Sequence, residues 1–99
     1  MNTTISHLDQ EALGRAASLL DATGRSAKHG SVAIRCLLAA ELLVQAGANS
    51  DPSISPIGSE RADLGEALRL LGGLSDDVLR DDFVLDAMHH ALLAHAATR

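Results

Sequence analysis

Leu8, Ala12, Leu13, Ala16, Leu19 and Leu20 recur at the spacing of one helical face, with Glu11, Arg15, Ser18 and Asp21 between them. The pattern predicts an amphipathic helix over about 8–22. Ser6 is its cap, Asp9 three residues on is the capping-box partner, and Gly24 ends it. A second helix is predicted over 30–46, with Gly47 as its left-handed terminator. Val32, Ala33, Ile34, Leu37, Leu38, Ala39, Ala40, Leu42, Leu43 and Val44 make it apolar almost all round. Such a helix is either central in a bundle or part of an interface, and a central position is the expectation.

The stretch 47–58 carries Asn49, Ser50, Asp51, Pro52, Ser53, Ser55 and Pro56, a composition that opposes both helix and strand. It reads as one long crossover loop in which Ile54 and Ile57 can tuck against the bundle. A third helix is predicted over 60–71, capped by Ser59, with Glu60 and Asp63 in its first turn and Gly72-Gly73 breaking it. Ser75 then caps a fourth, over 76–97, with Asp76 and Asp77 in the first turn and Leu74 stapling against Leu79. A bend is expected near Arg80 to Asp82. Val78, Leu85, Met88 and Leu92, with Leu79, Phe83, Ala87, Ala91 and Ala94, make a wide apolar seam. The expected fold is an all-α bundle in one domain spanning 1–99. It has four helices, or five if the last one breaks, and one long loop between the second and third.

Composition sharpens this. Ala and Leu, the strongest helix formers, number seventeen each, against four Val, four Ile and the single aromatic Phe83. At 46% apolar residues the chain has more hydrophobic surface than a thin monomeric bundle hides, so self-association is expected. Thirteen acidic against eight basic residues, a net charge of −5, argue against nucleic acid and against an anionic membrane as partners. The longest apolar run, 32–46, is interrupted by Arg35, Glu41 and Gln45 and is too short to span a membrane. The first six residues lack the basic and apolar parts of a secretory signal, and the lone Cys36 fits a reducing compartment; a cytoplasmic location is expected. Seven of the eight basic residues are Arg, the usage of a GC-rich bacterial or phage genome.

Three clusters could carry chemistry. Asp86, His89 and His90 place a carboxylate one turn from two imidazoles, as in an oriented base or a metal ligand pair. His95 points elsewhere round the helix, so a metal would need ligands from another helix or chain, and a solvated polar stripe is the plainer reading. Asp76, Asp77, Asp81, Asp82 and Asp86 form an acidic run suited to a basic partner, without the Gly and terminal Glu of an EF-hand loop. Arg25, Lys28, His29 and Arg35 precede or open the second helix, where an anion can sit or the acidic run of a neighbouring copy can pair. Their spacing does not fit a phosphate loop. Ser31 lacks the flanks of a nucleophile elbow, and Cys36 reads as a buried, inert thiol.

These readings converge on a small acidic interaction module of adaptor, regulator or inhibitor type. It acts by binding a protein partner or a second copy, with no catalytic residues and no cofactor. Asp76, Asp77, Asp81, Asp82, Phe83 and Met88 are the candidate contact residues. The alternative is a metal- or small-ligand-binding bundle using Asp86, His89 and His90.

Overall fold

The computed structural model describes residues 6–98 as an all-α bundle: α1 (His7–Ser26), α2 (Gly30–Gln45), α3 (Glu60–Gly72), α4 (Asp76–Leu79) and α5 (Asp82–Ala97). Met1 to Ile5, most of the stretch read as lacking a secretory signal, lies outside the described residues. The bundle measures 42 × 24 × 19 Å.

Side-chain caps set three of the helix starts, those of α1, α3 and α5. The Ser6 hydroxyl accepts from the Asp9 amide and the Ser59 hydroxyl from the Ala62 amide, each at 3.1 Å, relieving amides that a helix leaves unpaired. Gly47, at φ 107°, turns the chain out of α2 in the left-handed region that favours glycine.

α1 packs against α2 and α3, and α5 packs against the same two from the opposite corner. The turn 27–29 reverses the chain between α1 and α2. Gly47 after α2 then lies beside the start of α1, where Gln10 Nε2 donates to its carbonyl at 2.9 Å. The crossover runs back along α1: the Asp51 amide donates to Ser18 Oγ, and Arg25 donates to the Ile54 carbonyl. α3 therefore starts beside the end of α1 and runs antiparallel to it, and every neighbouring pair in the square is antiparallel. The loop is what allows α2 and α3 to lie parallel on the diagonal.

The core is built mainly from Leu13, Leu20, Leu43, Leu64 and Leu71, all fully buried, interleaved with alanines. Several expectations change here. Gly24 does not end α1; it is buried inside the helix, where a Cβ would lie 2.7 Å from Leu37 Cγ and 3.1 Å from the Leu37 amide. Its missing side chain lets α1 and α2 approach closely. α2 is not central, since it has two neighbours and an open outer side. Ser18, read as facing water, is buried and joins helix to loop, donating to the Gly14 carbonyl while accepting from Asp51. Ile57 does not tuck in: it is 73% exposed. The last helix breaks at Arg80 and Asp81, leaving α4 as a single turn.

Ser75 does not cap α4 with its side chain. Its hydroxyl donates to Asp9 Oδ2 at 2.6 Å and its amide to Asp9 Oδ1 at 3.2 Å. The Asp9 side chain is therefore spent on a long-range tie between α1 and the α3–α4 turn. The Ser75 hydroxyl holds the Asp9 carboxyl below its ordinary range; partial burial opposes this, and the Ser75 amide and Ser6 hydroxyl add to it. A carboxylate with a depressed folded pKa contributes stability that is present above its unfolded pKa, about 3.9, and is lost as pH falls through the folded value. Asp9→Asn is therefore expected to be less stable than the parent at pH 6, with the gap narrowing towards pH 2. Urea unfolding at the two pH values checks this.

Candidate functional site

The outer face of the α2–α5 pair leaves several large apolar side chains unpartnered. On α2 the buried set is Val32, Cys36, Ala39, Ala40 and Leu43. On α5 it is Val84, Ala87, Ala91 and Ala94. Small residues at these inward positions allow two helix axes to come close. Because the inward stripes are already filled, the larger aliphatics fall outside: Ile34 is 67% exposed, Leu92 54% and Phe83 44%, with Leu37, Leu38, Leu85 and Leu93 also exposed. Leu85 and Leu92, expected on the inner seam, are thus corrected to the outer side of α5. Ile34, Leu38, Phe83 and Leu93 lie on the α2–α5 side, whereas Leu85 and Leu92 are turned away from α2. Exposed large apolar side chains on two neighbouring helices mark a contact site.

A polar pair crosses the seam. Arg35 Nη1 lies 3.1 Å from His90 Nδ1. A guanidinium has only donors, so Nδ1 accepts and the neutral His90 ring carries its proton on Nε2. The His89 ring stands edge-on to His90, with centroids 5.8 Å apart. The Asp86–His89–His90 cluster therefore receives a cation from α2, not a further ligand. No group of three or more His, Cys, Asp or Glu side chains among the described residues is arranged to hold a metal ion.

The candidate contact residues divide. Asp81 accepts from the Phe83 and Val84 amides at 2.8 and 3.3 Å and is the N-cap of α5. Asp76, Asp77, Asp82 and Asp86 are exposed around the break between α4 and α5. Phe83 stands at the solvent edge of α5, whereas Met88 is half-buried against the core. Of the basic segment, Arg25 is taken by Asp21 at 2.9 Å, and the Lys28 amide donates to Glu60. The ion pairs among the described residues are His7–Glu11, Arg25–Asp21 and Arg69–Glu66, so Arg35, Asp82 and Asp86 are left without an opposite charge. Burial, with a smaller contribution from the Glu60 charge, pushes the Cys36 thiol up to about 11, so it stays protonated and unreactive at neutral pH.

A second concavity, about 500 Å³, lies between α1 and the crossover loop, lined by Arg15, Leu19, Asn49, Ile54 and Ile57 among others. It is open, its charges are mixed, and Ser18 and the Asp51 amide at its wall already bond each other. The described part of the chain has no helix long and apolar enough to cross a membrane.

Sequence periodicity missed Ile34, Leu38, Leu92 and Leu93 as outer residues and did not foresee the Arg35–His90 contact. The signal was present in Ala39, Ala40, Ala87, Ala91 and Ala94, which mark the close-packed sides of α2 and α5. No protein-family model, curated protein or solved structure matches the chain.

Proposed function

We propose that this protein is a small acidic interaction module that acts by contact, without catalysis, and associates with itself through the outer face of α2 and α5. The observation that carries this reading is the exposure of Ile34, Leu38, Phe83 and Leu93 on two adjacent, well-packed helices. Burying such side chains contributes about 25 cal/mol per Å² of apolar area removed from water, a sufficient drive for association once several are covered together. Unmatched Asp82 and Asp86 beside this face add orientation and a faster encounter. The buried single cysteine suits a reducing, cytoplasmic setting, and the preference for Arg over Lys suits a bacterial or phage host.

Leu38→Glu places a charge in the middle of the face without touching the core. It is expected to convert the self-associated protein to monomer in sedimentation velocity while leaving the urea unfolding of the monomer within about 0.5 kcal/mol of the parent. An unchanged sedimentation coefficient in a folded Leu38→Glu protein would remove this face as the contact site. A parent that stays monomeric at all concentrations would leave a foreign protein as the partner.

A further inference from the structure

We infer that two copies pair on the α2–α5 face antiparallel, about a two-fold axis, with Arg35 of each copy set against Asp82 of the other. This rests on the self-association proposed above and specifies its arrangement.

The Arg35–His90 hydrogen bond sets the register of the two helices. α2 and α5 are antiparallel, and Arg35 lies level with His90. Counting along both helices at 1.5 Å per residue places Asp82 level with Leu43 and Asp86 level with Ala39. Arg35 and Asp82 are therefore at equal distances, about 6 Å, on either side of the Ala39 level. A two-fold axis that lies across the helices at this level exchanges the two ends of the face and brings each Arg35 over the other copy's Asp82. Isologous contacts of this type are the commonest in homo-oligomers, and they require a surface that complements itself end to end.

The charges meet that requirement. Arg35 has no carboxylate partner among the described residues, and neither Asp82 nor Asp86 has a cation. Lys28 extends the positive end beyond Arg35, while Asp76 and Asp77 extend the negative end beyond Asp82. The hydrogen bond to His90 holds the Arg35 guanidinium along the seam, which reduces the side-chain freedom lost on pairing. Leu38 lies one residue from the axis and meets its own copy. Ile34 lies five residues from it, so its own copy is about 15 Å away along the helices. A pairing that matched like ends would set Asp82 of both copies at one end and Arg35 of both at the other, which costs affinity. Asp86, at the level of the axis, is level with its own copy in either arrangement and does not distinguish them.

Two sets of variants test this. Asp82→Lys alone opposes two cations at each of the two symmetric contacts, and Arg35→Glu alone opposes two anions. Each is expected to weaken self-association about tenfold. Mixed in equal amounts they restore it, because both contacts in the mixed pair are then between opposite charges. Circular dichroism establishes that each variant is folded. Independently, Leu38→Cys is expected to form an interchain disulfide under mild oxidation while Ile34→Cys does not, and this comparison decides the question if Arg35→Glu fails to fold. A self-associating parent whose folded charge variants do not complement, or whose Ile34→Cys cross-links as readily as Leu38→Cys, overturns the arrangement and leaves the face itself standing. A parent that never self-associates overturns both.

Discussion

Leu20→Ala is expected to lower the unfolding free energy by about 2–5 kcal/mol, the range for removing a fully buried leucine from a packed core. Leu20 is completely buried on α1, the helix that touches both α2 and α3, so the cavity has rigid walls on two sides. A domain of this size has only about 5–15 kcal/mol in total, so the variant comes near the limit of folding. Urea denaturation followed by far-ultraviolet circular dichroism measures the change. Leu92→Ala is the matched control, because Leu92 is mostly exposed and its truncation is expected to cost about 0.5 kcal/mol or less. A large loss at Leu92 and a small one at Leu20 would mean that the inner and outer sides of the bundle are assigned the wrong way round.

Asp63→Ala is expected to cost about 1–3 kcal/mol and to loosen the end of the crossover. The buried carboxylate of Asp63 accepts from the Ile57 amide through Oδ2 and from the Gly58 amide through Oδ1, both at 3.0 Å. Alanine leaves both amides without this partner, whereas asparagine retains one acceptor oxygen, so Asp63→Asn is expected to fall between the two. Amide hydrogen exchange at Ile57 and Gly58 is expected to accelerate in the same order. The loop's route sets the topology: with its end untied, nothing in the short-range sequence directs α3 to the far side of α1.

Much of the fold was legible because local and global preferences agree. Ser6 and Ser59 announce helix starts that the structure uses, and Gly47 leaves α2 with the backbone that only glycine takes readily. The departures share a physical cause, namely contacts distant in sequence. Ser75 has the form of an N-cap, yet Asp9, 66 residues away, takes its hydroxyl. Gly24 has the form of a terminator, yet the close approach of Leu37 calls for a residue without a Cβ inside the helix.

The candidate site was legible only in outline. In α2 and α5 nearly every position is apolar, so periodicity gives no clear direction, and weighting the larger side chains pointed Leu85 and Leu92 inward. The structure buries Ala87, Ala91 and Ala94 instead, since two helices in close contact have room for methyl groups and not for isobutyl groups. Phe83 and the aspartates were read as candidate contact residues; Phe83, Asp76, Asp77 and Asp82 are exposed, whereas Asp81 is absorbed by its capping role. Arg35 and His90 were each visible, but not their contact, because 55 residues separate them.

The most direct test of contact through the α2–α5 face is the amide chemical-shift change of the full ¹⁵N-labelled chain on dilution from millimolar to micromolar concentration. Shifts concentrated at exposed positions of α2 and α5, around Ile34, Leu38, Phe83 and Leu93, are the predicted result. Spectra that do not change with dilution, or that change mainly along α1, α3 and the crossover loop, would contradict it.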